Sequence, residues 1–160
     1  MTADSRDLVH LRRCVTLAEE ALAAGDDPFG SVLVGSDGAV LAEERNRETT
    51  SADPTAHPEL ALARWAAAHL PSADRAGATV YTSGEHCPMC AAAHAWVGLG
   101  RIVFAASSTQ LAGWRAGWGL PDGPVAVLPI TAVAPGVAVT GPVPPLDEEM
   151  RLVHERAAQR

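Results

Sequence analysis

Two short segments set the tightest limits on this chain: His57-Pro58-Glu59 and Cys87-Pro88-Met89-Cys90. Each places a proline directly after a side chain that binds metal well, at the head of a run with helical spacing. Proline is tolerated in a first helical turn, because the N–H it lacks has no partner there anyway. Both segments therefore read as helix starts, for helices over 57–70 and 87–99. A helix N-terminus carries partial positive charge and free N–H groups, which favour thiolate over thiol. Cysteines three apart share one helix face. For these donors to act as one set, the two helix starts must meet in space.

The rest of the chain supplies the means. Residues 5–24 carry Leu8, Leu11, Val15, Ala18 and Leu22 at helical spacing, with Gly25 as a stop. The runs PFGSVLV and AVLAEERN read as two strands joined by a Gly-Ser-Asp-Gly turn. ATVYTS and RIVFAA read as further strands, one on each side of the Cys87 helix. The resulting order is helix, hairpin, helix, strand, helix, strand. Helices alternating with strands predict an α/β domain layered on a central sheet. Beyond residue 110 the pattern weakens. LAGWRAGWGLPDGP is expected to be irregular. VAVLPITAV is expected as an edge strand, because Pro129 bars it from a sheet interior. VAVTGPVPP stays ambiguous, and PLDEEMRLVHERAAQR predicts a terminal helix. The chain reads as one domain over 1–160, with 110–160 as a variable tail.

Charge narrows the partners. The net charge is −7 and all twelve basic residues are arginine. Binding to long nucleic acids relies on clustered cations that displace counterions, and here the C-terminal arginines alternate with acids. A large nucleic-acid partner is not expected. No apolar run reaches the roughly 18 residues needed to span a membrane, and no secretory signal is read at the N-terminus. Three cysteines make no disulfide framework, so Cys87 and Cys90 read as a metal or redox pair and the expected compartment is the cytoplasm.

His57, Cys87 and Cys90 make three ligands. Structural zinc sites normally close with four, whereas catalytic ones keep a position for water. Zinc lowers the pKa of that water to about 7, so hydroxide is available near neutrality. Glu59 lies two residues from His57. In a regular helix such side chains diverge by about 200°, but the first residue of a helix is not fully helical, so both can face one pocket. Glu59 suits a proton shuttle from water to the substrate and its leaving group. A redox pair would leave His57-Pro58-Glu59 unexplained, and a closed zinc knuckle would need another ligand.

At these residues the chain resembles the cytidine deaminase-like superfamily, and within it the bacterial guanine deaminases and related free-base deaminases. The likeness rests on Pro28-Phe29-Gly30, Arg45-Asn46-Arg47, the run from Asp53 to Glu59, Thr79-Val80-Tyr81-Thr82-Ser83, and Cys87-Pro88-Met89-Cys90. It implies a three-layer α/β/α fold with a central mixed five-stranded sheet, a Zn2+ ion, hydrolytic removal of an amino group and a homodimer. Carried over by position, His57, Cys87 and Cys90 are the metal ligands and Glu59 is the acid/base. Asn46 is the residue that hydrogen-bonds the base, and Phe29 is an apolar wall. The backbone of Ser83 and Gly84 lies beside the reacting amino group. His86 and Trp114 are further candidates to line or cap the pocket. His94, one turn beyond Cys90, reads as a packed histidine, Cys14 as a core thiol, and Glu85 as a tether for its loop. Pro58, Gly84 and His86 depart from the usual pattern, and all three sit at the pocket. They leave the substrate open between guanine-like and cytosine-like bases, and between base and nucleoside. Two other readings stand beside this one: a tRNA adenosine deaminase, and an inactive zinc-stabilised scaffold.

Overall fold

A computed structural model describes residues 3–160. The chain opens with α1 (Ser5–Ala24), started by a reciprocal capping box between Asp4 and Asp7 and ended at Gly25. Next come β1 (Gly30–Val34) and β2 (Val40–Arg45), the expected hairpin. They are followed by α2 (Pro58–His69), α3 (Ser72–Gly77), β3 (Thr79–Gly84), α4 (Pro88–Val97) and β4 (Arg101–Ala106). The remaining elements are α5 (Ser108–Gly117), α6 (Ile130–Val133), β5 (Val139–Thr140) and α7 (Leu146–Ala158).

The five strands form one mixed sheet in the order β2-β1-β3-β4-β5. β1 runs antiparallel to both β2 and β3, while β3, β4 and β5 are parallel. Strand side chains alternate between faces, and each face builds its own core. Val32, Val34, Tyr81 and Val103 point to the face covered by α1 and α7, against Leu11, Val15, Leu146 and Met150. Leu33 and Val80 point the other way, under Leu62, Ala63 and Ala66 of α2. Ile102 and Phe104 continue that second face beneath Ala91 of α4 and Ile130 of α6. The expected three-layer arrangement is therefore present.

Two expectations for the tail are corrected. The first half of the Gly- and Trp-rich stretch belongs to α5, because Ser107 and Gln110 make a capping box and Trp114 packs against the α1/α7 core, while residues 118–124 are irregular as expected. The segment with Pro129 makes no edge strand. Pro129 instead precedes the short turn α6, whose Ile130 is buried against α4 and whose Ile130 N–H donates to the Glu85 carboxylate. The edge position belongs to β5, within the stretch that the sequence leaves ambiguous.

One buried ion pair ties the first layer to the sheet. Asp7 accepts both terminal nitrogens of Arg101 at 3.1 and 2.9 Å and the Tyr81 hydroxyl at 2.9 Å. Closer to the site, α1 lies directly on Gly30. A Cβ at that position would meet Leu17 Cβ at 2.3 Å and the Cys14 carbonyl oxygen at 2.6 Å. These atoms belong to a buried helix that cannot step aside cheaply. Gly30→Ala is expected to destabilise the fold by about 1–3 kcal/mol. At roughly 2–4 °C per kcal/mol for a chain of this size, circular dichroism melts should show a clear drop in Tm. An unchanged Tm would mean that α1 does not press on β1 as described.

Candidate active site

The two proline-bearing helix starts meet. His57 and Cys87 both precede their helices in extended conformation, with Pro58 and Pro88 in the first turns. His57 Nδ1 lies 3.6 Å from Cys87 Sγ and 3.6 Å from Cys90 Sγ. The three ligand atoms all fall within 4.8 Å of one another. Zinc–sulfur bonds of about 2.3 Å and zinc–nitrogen bonds of about 2.0–2.1 Å at a tetrahedral angle place N and S roughly 3.6 Å apart. Both nitrogen–sulfur separations suit a zinc ion held by all three residues, and three donors are one fewer than a closed structural site uses.

The protonation pattern agrees with that fit. A hydrogen bond from Cys90, together with the one to His57, pulls the Cys87 thiol down to about 4. The thiolate neighbour Cys87 in turn pushes His57 up to about 9. Cys90 moves upward, because it donates to Cys87 and is buried. Without metal the site is an imidazolium–thiolate pair beside a protonated thiol. Zinc replaces those protons with one dication, so binding releases them.

Glu59 is the second residue of α2, in its first turn, and is buried. Its Oε1 accepts the Thr82 hydroxyl at 2.8 Å and the Ser31 hydroxyl at 3.1 Å. Ser31 and Thr82 stand directly opposite each other in the β1–β3 pairing, with their hydroxyl oxygens 2.9 Å apart. Both use the α2-facing slot that Leu33 and Val80 fill with apolar side chains further along. Burial pushes the Glu59 carboxyl up, against the pull of His57 and Thr82. With both hydroxyls on Oε1, Oε2 is the oxygen left to carry a moving proton.

The other candidates divide. Asn46 is buried and its N–H donates to the Phe29 carbonyl at 2.9 Å. Its side-chain oxygen accepts the Glu48 N–H at 3.0 Å, which leaves its amide N–H2 as a donor. The Phe29 ring lies over Gly84, where a Cβ would come within 3.0 Å of Phe29 Cε1. Asn46, Phe29 and Gly84 are thus brought together, and the Ser83 hydroxyl accepts the Gly30 N–H beside them. Trp114 is half-buried and reaches this group through His154 of α7, whose ring centroid is 6.3 Å from Trp114 and 5.0 Å from Phe29. His86 turns elsewhere. It is fully buried with its ring edge-on to His94 at 5.4 Å, and both ring nitrogens lack a hydrogen-bond partner. His94 Nε2–H donates to the Gly100 carbonyl at 2.9 Å, as a packed histidine, and Cys14 is a core thiol. Glu85 is the expected tether: its carboxylate accepts the N–H groups of Ser108 and Ile130.

Sequence reading missed Ser31, Thr82, Glu48 and His154. For Ser31 and Thr82 a signal was present: single hydroxyls in strand slots where the period of two calls for apolar residues. Glu48, whose Oε1 lies 2.7 Å from His57 Nε2, is in a loop with no such period.

Fold and donor set together define a three-layer α/β/α protein with a His/Cys/Cys metal centre and a buried carboxylate beside it. Residues 4–106 match the family described as the cytidine and deoxycytidylate deaminase zinc-binding region, and the chain belongs to that family. It is 45% identical to guanine deaminase of Bacillus subtilis over 103 residues, which cover 64% of this chain and 65% of that one. A solved structure of guanine deaminase from Bacillus subtilis matches with a TM-score of 0.58 and 35% identity, over 76% of this chain and 81% of that one. A tRNA-specific adenosine deaminase of Haemophilus influenzae is 35% identical over 97 residues, 61% of this chain and 56% of that one. The chain thus spans less than two thirds of the length of these two sequence relatives. Guanine deaminase from Nitrosomonas europaea shares the fold, with a TM-score of 0.75 at 20% identity over 100% of this chain and 88% of that one.

The lowered Cys87 thiol predicts a reactivity signature in metal-free protein. Between pH 7.5 and 5.5 an ordinary thiol loses close to 100-fold of its thiolate, given a pKa of about 8.5. Cys87, with its pKa near 4, stays ionised throughout that window. Iodoacetamide should therefore modify Cys87 at nearly constant rate across it, leave buried Cys14 untouched, and be blocked by zinc. Peptide mass spectrometry reads the outcome; a 100-fold fall at Cys87 would contradict the ion-pair assignment.

Proposed function

We propose that this chain hydrolytically deaminates a free aminated nucleobase or related heterocycle, releasing ammonia, with His57, Cys87 and Cys90 holding zinc and Glu59 as acid/base. The observation that carries this reading is Glu59: a buried carboxylate, anchored through one oxygen, beside a site with three donors, one fewer than a closed structural site uses. A structural zinc site has no use for either feature. The identity to the Bacillus guanine deaminase favours a guanine-like base over a cytosine-like one.

Zinc bound by these three donors supplies a Lewis acid that makes water nucleophilic near neutral pH. The chain does the rest. Glu59 Oε2 takes a proton from the water and passes it to a ring nitrogen next to the amino-bearing carbon. As the water oxygen bonds to that carbon, Glu59 takes the second proton from the added hydroxyl and gives it to the amino group, so that the C–N bond breaks and the oxo product and ammonia leave. Asn46 offers its amide N–H2 to an acceptor on the base. Phe29 over Gly84 forms an apolar wall, and Ser83 and Gly84 border the leaving group. Trp114 caps the group through His154, while His86, packed against His94, takes no part in this reading. A base lacking the matched acceptor would leave a buried donor unpaired, at about 1–3 kcal/mol.

Residues 1–160 act in this reading as one deaminase domain with a variable tail from 110, working in the cytoplasm as a homodimer. Trp96, 90% exposed on α4, supports an apolar contact with a second copy. A tRNA substrate is disfavoured by the net charge of −7 and the absence of lysine.

The test is ammonia release by zinc-loaded protein from guanine, cytosine, adenine and their nucleosides. One free base should turn over. Glu59→Gln should reduce kcat by about 10²–10⁴-fold or more while zinc content and fold stay intact. Salt-sensitive tRNA binding with no turnover of any base would favour the tRNA reading. Silence on all substrates with zinc present would favour the scaffold.

A further inference from the structure

The two nitrogens of His57 face different partners. Nδ1 is directed at the two sulfurs, 3.6 Å from each, while Nε2 lies 2.7 Å from Glu48 Oε1. A separation of 2.7 Å is a hydrogen bond and leaves no room for a metal between the two atoms. When the ring is neutral, as a metal ligand must be, the remaining proton belongs on Nε2, and Nδ1 has the lone pair that can bind zinc.

Glu48 is also held in place. Its N–H donates to Asn46 Oδ1 at 3.0 Å and its carbonyl accepts the Asp53 N–H at 3.1 Å. The next two residues, Thr49 and Thr50, donate their N–H groups to Oδ1 of Asp26, at 3.0 and 2.8 Å. Asp26 is buried and paired with Arg45 at 2.8 Å. A loop with this many fixed main-chain bonds presents its carboxylate in one place. Glu48 and His57 are each about a quarter exposed, so the contact is partly screened from water.

We propose that Glu48 is a positioning residue for the metal centre, accepting the Nε2 proton of His57 so that Nδ1 is locked as the metal-binding nitrogen. Ligating histidines commonly donate their second N–H to a carboxylate, which fixes the tautomer and raises ligand basicity. Here the same bond has a second consequence. Asn46 accepts the Glu48 N–H, so a continuous path runs from the residue offered to the base, through Glu48, to the metal ligand. The inference rests on His57 being a zinc ligand, as argued above.

The experiment measures zinc affinity by chelator competition in wild type, Glu48→Ala, Glu48→Gln and His57→Ala, with metal-free melts as a folding control. Imidazole NMR of the zinc-loaded forms is the second readout. Glu48→Ala should weaken zinc binding by about 10–100-fold, and the Nε2–H signal of His57 should shift and exchange faster. Glu48→Gln retains an acceptor without charge and should fall between the two. Asn46→Ala should weaken zinc less than Glu48→Ala. Unchanged affinity and an unchanged Nε2–H signal in Glu48→Ala, with His57→Ala still losing zinc, would overturn the role of Glu48 alone. Zinc binding that survives His57→Ala would overturn the ligand assignment beneath it. A structural role for Glu48 would lower the metal-free melt without moving the His57 tautomer, and that result also counts against the proposal.

Discussion

Three acidic groups, Cys87, Cys90 and Glu59, are gathered around a single imidazole at the junction of two helix starts, and everything else in the structure serves or suffers from that crowding. Left as anions in a buried site they would repel each other and lose hydration. The molecule answers partly with protons: Cys90 and Glu59 move up, and His57 takes a charge to match Cys87. It answers partly with dipoles, since both Pro58 and Pro88 open helices whose N-termini face the cluster. The full answer is a dication. Part of the zinc binding energy thus relieves a charge problem that the fold creates.

The sheet sets where this happens. β1 runs against β3, so its first residues lie beside the last residues of β3. That pairing puts Ser31 opposite Thr82 and lets two hydroxyls clamp one oxygen of Glu59. The same ends of the strands carry Gly30, Ser83 and Gly84, which lets α1, Phe29 and Asn46 crowd the site from the other side. Placement at the carboxyl ends of parallel strands is the usual location for ligands in open α/β sheets. The long loop from 46 to 57, pinned by Asp26, then delivers Asn46, Glu48 and His57 together.

Much of this was legible in the residues. The paired proline helix starts, the capped first helix and the alternating strands all carry their signal locally, within one turn or one strand. The donor set was readable because metal chemistry restricts residue type and spacing so strongly. What escaped reading is non-local. That Ser31 meets Thr82 depends on strand register, and that Glu48 reaches His57 depends on how a loop folds around Asp26. The tail misled for a different reason. Gly and Trp in 111–124 obscured a helix whose start lies earlier, at Ser107. Pro129 is compatible with an edge strand, but the same lack of an N–H suits it to head the helical turn that forms here.

The proposed function requires His57, Cys87 and Cys90 to form one three-donor zinc centre with a fourth position for a small oxygen ligand. X-ray absorption at the zinc edge of the loaded, substrate-free protein tests it most directly. The expected shell is two sulfurs at about 2.3 Å and one imidazole nitrogen with one further light atom at about 2.0–2.1 Å. A shell with more than two sulfurs, or with no imidazole contribution, would contradict it.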